Sequence, residues 1–368
     1  MLKRKKVRKT VTAVLLSLFV IVIVLGSVNI FRKVRRLQFV KNMGAGINIG
    51  NTMDSHGLRE YHPEATDLEY ETYWGNPSIT EELFVCIKEA CFSTVRIPVT
   101  WQDHMREDGT INKEWMMRVQ EVVDMALEQE LYVIINTHHE EWLDLKTENE
   151  EEIIGRFKYV WEQIAEQFQL YDSRLLFEGM NEPRLRNSEY EWTEGTEELR
   201  DMVNRLNSVF VETVRRGGKE NENRYLLVSP YACNHLEGVM EALIIPRGNI
   251  IVSIHMYAPY SFCQDEEGMN SWNPDDEEVV EYATQIEHCF DLMGQYFVKK
   301  GIPVILTEFG CKDKNNTDDR IEWINFYKQQ ADIYGIPCIW WDNGSNYQII
   351  DREKNKWVYP QIKDELIK

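Results

Sequence analysis

The sequence lacks several devices on which familiar chemistries are built. No Gly-x-Ser-x-Gly run occurs, so no serine nucleophile on a strand-to-helix elbow is on offer. No glycine-rich phosphate loop follows the first apolar strand; Gly44-Ala45-Gly46-Ile47-Asn48 falls before and within it. His-x-His, which would set two rings on one face of a strand, is missing. The adjacent His138 and His139 are expected to point opposite ways, and no Asp joins them at ligand spacing. No metal and no cofactor are therefore expected. The seven cysteines (86, 91, 233, 263, 289, 311 and 338) are odd in number and lack paired spacing. They read as small buried hydrophobes, not as a disulfide framework or a zinc motif. Internal repeats and low-complexity linkers are also missing.

Charge is absent where it is informative. Residues 1–36 hold ten Lys/Arg and no Asp/Glu, leaving 31 basic against 61 acidic residues in the remainder. That acidic balance disfavours nucleic acid and other polyanionic partners and is indifferent to a neutral polymer. Thr10 to Phe31 contains no charged residue at all. As a helix it would span roughly 33 Å, enough to cross a bilayer core. Six basic residues precede the run and Arg32, Lys33, Arg35 and Arg36 follow it, so the amino end is expected in the cytoplasm and the bulk outside the cell. The expected organisation is a basic cytoplasmic segment (1–9), a transmembrane signal anchor or a cleaved signal peptide (10–31), a basic linker (32–38) and one catalytic domain (39–368). Anchoring would leave the protein membrane-bound at the cell surface, and cleavage would leave it secreted.

What is present is a globular chain of 43% hydrophobic and 11% aromatic residues. From Leu37 onward, short apolar strands alternate with helical periodicity. The strands are expected at 44–49, 93–97, 131–136, 175–178, 225–228, 250–254, 304–306 and 337–341. The helices between and after them are expected at 79–90, 113–128, 150–168, 197–216, 236–243, 277–299, 318–334 and 361–367. Eight strand–helix repeats with near-continuous apolar strands predict an α/β fold, a (β/α)8 TIM barrel of parallel strands.

Such a barrel carries its site at the C-terminal ends of the strands. Those ends hold Asn51, Arg96, the pair His138 and His139, Asn181 with Glu182, Tyr231, His255 with Tyr257, Glu308, and Trp341 with Asp342. Every strand thus finishes in a hydrogen-bonding or aromatic group. Two stretches stand out: Leu175-Leu176-Phe177-Glu178-Gly179-Met180-Asn181-Glu182-Pro183 and Ile302-Pro303-Val304-Ile305-Leu306-Thr307-Glu308. Each is an apolar strand that finishes near a glutamate, and a carboxylate pair on two strand ends is the equipment for splitting a glycosidic bond. Tryptophans 74, 101, 142, 192 and 272 fall in loops and are candidates to stack on sugar rings.

The ordered motifs extend this reading. They run Gly46-Ile47-Asn48-Ile49-Gly50-Asn51-Thr52, Trp74-Gly75-Asn76-Pro77, Val95-Arg96-Ile97-Pro98 and Asn136-Thr137-His138-His139. Phe177-Glu178-Gly179-Met180-Asn181-Glu182-Pro183-Arg184, His255-Met256-Tyr257-Ala258-Pro259, Thr307-Glu308-Phe309-Gly310 and Trp340-Trp341-Asp342-Asn343-Gly344 complete the series. Over roughly Phe39 to the C-terminus the chain resembles glycoside hydrolase family 5, the retaining endoglucanase type. The resemblance implies Glu182 as acid/base, protonated at rest, and Glu308 as nucleophile. It also implies that Arg96, His138 (or His139), Asn181, His255 and Tyr257 line the cleavage subsite, with Trp341 as a sugar platform. The implied partner is a β-1,4-glucan cleaved inside the chain by a monomeric enzyme. Xyloglucan, mixed-linkage glucan or mannan backbones remain alternatives, as does a non-catalytic polysaccharide-binding barrel.

Overall fold

The computed structural model describes residues 30–368. Most of the apolar run 10–31 therefore lies outside the described residues, and among the described residues no helix is long and apolar enough to cross a membrane. Eight parallel strands, β1 (Gly46–Asn48), β2 (Thr94–Ile97), β3 (Tyr132–Asn136), β4 (Leu175–Glu178), β5 (Leu226–Val228), β6 (Ile250–His255), β7 (Val304–Phe309) and β8 (Cys338–Trp340), pair in chain order. β1 also pairs with β8 and closes the barrel.

The helices form because each offers one apolar face and suitable ends. Lys113–Glu128 and Glu197–Arg216 span the expected residues. The latter begins with Thr196 accepting the Leu199 N–H, has Glu197 and Glu198 in its first turn, and ends on Arg215 and Arg216. That order of charge opposes the helix dipole. The helix expected to reach Lys299 stops at Tyr296, because a short turn (Val298–Lys300) closes on Gly301 at φ 79. β7 runs past its expected end at Leu306 to Phe309, since His255 of β6 pairs with Glu308 across a register shift.

The basic segment 32–38 is not an irregular linker. It belongs to a helix over 30–43, here α1, which lies across the bottom of the barrel. Val40 and Met43 of α1 join Ile134, Leu176, Leu227, Ile251, Ile305 and Ile339 in one buried cluster that plugs the barrel floor. Phe39 stacks on Tyr225 with ring centroids 3.7 Å apart.

Side chains in a strand alternate faces, so residues two places on from that floor point into the same interior. They are Asn136, Glu178, Ser253 and Thr307, joined by Asn48 and Arg96, and all six are fully buried. The barrel is thus an apolar plug under a polar layer, and the strand tips stand on the polar layer.

Candidate active site

Arg96 organises that polar layer. Its Nε donates to Glu178 Oε2 at 2.7 Å, its Nη1 to Asn48 Oδ1 at 2.9 Å and to Glu308 Oε1 at 2.6 Å, and its Nη2 to Asn181 Oδ1 at 2.8 Å. Burial lowers the guanidinium's pKa, but the Glu178 and Glu308 charges more than offset it and hold it above the usual arginine value. Burial would likewise push Glu178 up, yet Arg96, His255 and Ser253 hold it below the ordinary carboxylate value. Ser253 Oγ donates to Glu178 Oε1 at 2.6 Å. Breaking the Arg96–Glu178 pair would strand a buried charge at a cost of about 3–5 kcal/mol. Arg96 therefore acts from beneath the site; it does not line the cleft, as the sequence suggests it would.

The two expected carboxylates meet above this layer. His255 Nδ1 lies 3.0 Å from Glu182 Oε1 and 3.5 Å from Glu308 Oε2. One oxygen of each carboxylate and the imidazole nitrogen all fall within 4.8 Å of one another. Tyr257 OH donates to Glu308 Oε2 at 2.9 Å, so each oxygen of Glu308 has its own donor. Glu182 sits in the left-handed region at φ 46, a strained setting for a residue with a side chain. Its N–H donates to Cys233 Sγ at 3.3 Å and its carbonyl accepts Arg184 Nη1 at 2.9 Å.

The surroundings of Glu182 and His255 shift both groups toward their charged forms. Burial would raise the pKa of Glu182, but the His255 hydrogen bond and the nearby Arg184 charge bring it below the ordinary value. Burial opposes a charged His255, yet Glu308, Cys233 and Glu182 lift it well above 6.5. Both directions favour an ion pair between His255 and Glu182. The Glu182–His255 pair still holds one proton, shared along a 3.0 Å hydrogen bond.

His138 and His139 do not point opposite ways. Their ring centroids are 4.4 Å apart, and Asp54 brings a carboxylate oxygen within 4.8 Å of both. The donor set fits a metal poorly all the same. Val99 N–H donates to Asn136 Oδ1 at 3.0 Å, which fixes the amide so that Nδ2 donates to Glu178 at 3.0 Å and to His138 Nδ1 at 3.1 Å. His138 Nδ1 is therefore an acceptor and Nε2 carries the hydrogen, leaving no lone pair facing Asp54. Burial, with His139 and Arg96 nearby, keeps His138 neutral well below 6.5. Burial and the neighbouring His56 bring His139 down to about 3. Both rings stand as neutral hydrogen-bonding groups.

A cleft of about 740 Å³ opens over these residues, with His138, His139, Asn181, Glu182, His255, Tyr257, Glu308 and Trp341 in its walls. Trp341 lies parallel to the His138 ring with centroids 6.0 Å apart. Asn51 is not among the lining residues. It is a turn residue at φ 58 whose N–H donates to Asp54 and whose carbonyl accepts from Asn76. Of the loop tryptophans, Trp192 reaches the cleft, 57% exposed, with the Arg184 guanidinium 4.0 Å from its ring centroid. Trp101 and Trp272 are buried packing residues.

Sequence reasoning missed Asn48, Asn136 and Glu178, whose signal was a polar residue inside an apolar strand. It also missed Asp54, Cys233, Asn234, His235, Tyr260 and Tyr347, which sit in loops and carry no periodic signal.

The family model for cellulase, glycosyl hydrolase family 5, matches residues 59–347. Endoglucanase A of Clostridium longisporum is 38% identical over 342 residues, covering 90% of this chain and 65% of the relative. A broad-specificity endoglucanase from Clostridium acetobutylicum superposes with a TM-score of 0.83 at 38% identity, covering 90% of this chain and 99% of that one. A xyloglucan-specific endo-β-1,4-glucanase from a metagenomic library, solved with cellotriose, superposes at 0.84 with 34% identity, covering 91% and 99%. By sequence, fold and the order of its motifs, the chain belongs to glycosyl hydrolase family 5, the cellulase family.

Proposed function

We propose that the protein is an endo-acting retaining glycoside hydrolase that cleaves β-1,4-glucosidic linkages within glucan chains by double displacement. The observation that carries this reading is the meeting of Glu182 and Glu308 at His255, with carboxylate oxygens within 4.8 Å. Retaining enzymes hold their carboxyl groups about 5–5.5 Å apart, whereas inverting enzymes leave about 6.5–9.5 Å for a water. Glu308 is the nucleophile: Arg96 and Tyr257 hold it toward the anomeric carbon while its other approaches are filled. Glu182 is the acid/base. As Glu308 spends its charge in forming the glycosyl ester, the His255 imidazolium loses the neighbour that most favoured it. Its proton then passes to Glu182 and on to the leaving oxygen. In the second half, Glu182 takes a proton from water and the ester is hydrolysed.

Asn181, its Oδ1 held by Arg96, turns its amide hydrogens toward the sugar hydroxyl next to the anomeric carbon. His138 offers an Nε2 hydrogen, and Trp341 is the ring on which the sugar stacks. The relatives named above are endoglucanases, one of them an endo-β-1,4-glucanase, which supports a β-1,4-glucan backbone here. A xyloglucan backbone is the second reading, favoured by the metagenomic relative. All catalytic groups come from one chain, in keeping with a monomer. The uncharged run 10–31 between two basic flanks supports anchoring of the domain outside the cell.

The test is a pair of variants on two substrates. Glu308→Gln is expected to lose turnover on every substrate by a factor on the order of 10⁴ or more. Glu182→Ala is expected to lose polymer hydrolysis by about 10²–10⁴-fold yet still release an activated aryl leaving group. Equal loss on both substrates in Glu182→Ala, or inverted product by NMR in the wild type, would overturn the assignment.

A further inference from the structure

The barrel end opposite the cleft carries a surface that hydrolysis does not use. Among the described residues, the aliphatic side chains more than 60% exposed are Ile30 (64%), Leu170 (72%), Ile244 (62%) and Ile333 (66%). Ile30 opens α1, and the other three lie on segments leading into β4, β6 and β8, so all four are at the floor of the barrel. Phe31 (68%) and Val34 (59%) are exposed beside Ile30 on the first turns of α1. The comparably exposed large side chains at the cleft end are Tyr61 (72%) and Tyr260 (65%). Aromatic rings match the faces of sugars, whereas exposed apolar side chains grouped on one helix turn, as Ile30, Phe31 and Val34 are, match hydrocarbon.

Cations stand beside the exposed turns of α1, while Asp172 and Asp332 accompany Leu170 and Ile333. Lys33 lays its stem on Gly301, and Arg36 Nη1 donates to the Gly248 carbonyl at 2.9 Å, which brings α1 beside the segments that hold Arg247, Lys299 and Lys300. Arg32, Arg35, Arg247, Lys299 and Lys300 are exposed, and none of them is in a salt bridge among the described residues. The rest of the molecule is strongly acidic, with 61 Asp/Glu against 31 Lys/Arg after residue 36. An anionic surface would therefore repel most approaches and attract this one.

We propose that the floor of the barrel docks on a bilayer bearing anionic headgroups. The aliphatic side chains enter the headgroup–acyl boundary, and Arg32, Lys33, Arg35, Arg247, Lys299 and Lys300 meet lipid phosphates. Because Val40 and Met43 of α1 are built into the barrel plug, no flexible spacer separates the end of the apolar run at Phe31 from the domain. The catalytic cleft is thereby held pointing away from the lipid, toward polymer outside the cell. This orientation rests on the reading that 10–31 anchors the chain, and the test separates the two.

Full-length protein is placed in nanodiscs of phosphatidylcholine alone and of phosphatidylcholine mixed with phosphatidylglycerol, and lysine acylation is followed residue by residue. Lys33, Lys299 and Lys300 are expected to react several-fold more slowly in the anionic discs, while Lys146, on the loop after β3 at the cleft end, reacts alike in both. Arg32→Glu with Arg35→Glu is expected to abolish that protection and to leave hydrolysis of soluble glucan unchanged. Retention in both discs with equal labelling would overturn the docking and leave the anchor standing. Failure to be retained in either disc would remove the anchor; flotation with phosphatidylglycerol vesicles then decides docking alone, and no flotation overturns it. Protection that grows with protein concentration without lipid would assign the face to a second copy and overturn the lipid contact.

Discussion

At the scale of residues, the chemistry depends on one proton and the groups that compete for it. His255 faces both carboxylates, lies near Cys233, and has its Nε2 buried without a partner. Its pKa is raised, chiefly by Glu308 against the effect of burial, so its proton is lost at higher pH than from an ordinary histidine. The alkaline limb of kcat/KM is therefore expected above the ordinary histidine range. In His255→Asn the proton must be kept by Glu182 alone, and the alkaline limb should move to lower pH. A profile that keeps its alkaline limb while kcat falls would mean that His255 only positions Glu182. The placement of Glu308 and Glu182 was legible because a charged residue at the end of an apolar strand conflicts with burial. The pairing of His255 with Glu182 was not legible, since it depends on a distance of 3.0 Å between residues 73 positions apart.

At the scale of elements, two strand tips approach each other more closely than side chains would allow. A Cβ on Gly50 would lie 2.6 Å from Trp341 Cη2 and 3.1 Å from the Asp342 carbonyl. Gly50→Ala is expected to push the Trp341 ring off its parallel stack over His138, raising KM several-fold with a smaller effect on kcat. Unchanged KM on soluble glucan would show that the ring does not carry sugar. Similarly, a Cβ on Gly179 would meet Phe210 Cδ1 at 2.8 Å, so the tip of β4 can seat against the helix Glu197–Arg216 only with glycine there. Helices with strong periodicity and charged ends were read to the residue. The segment 32–38 was read as a linker because its first half is basic, whereas the apolar contacts of α1, Val40 and Met43, come only after it.

For the whole molecule, burying carboxylates near the cleft sets a pH dependence of folding. Burial pushes Asp54 up to about 6 and Glu140 up to about 7, against which their backbone hydrogen bonds work only in part. An acid whose pKa is raised by folding binds its proton more tightly in the native state. Its contribution is thus present below the unfolded value, near 4, and is lost as pH rises through 6 to 7. Stability against denaturant is expected to fall between about pH 4 and pH 7. Glu140→Gln should flatten that fall, although it sacrifices one of the acceptors used by Trp101 N–H and Trp142 Nε1–H. An identical slope in the variant would assign the dependence to other groups.

The sequence by itself determined the eight-fold alternation, the identity of the strand tips and the presence of two carboxylates, because burial period and chain order are local properties written along the chain. Only the tertiary structure decided which groups face one another. It placed Arg96 under the site instead of in it, joined Asp54 to the two histidines, left Asn51 in a turn, and made the basic segment part of the barrel floor. Such facts follow from barrel closure, which brings β1 beside β8 and sets side chains from distant strands within hydrogen-bonding reach.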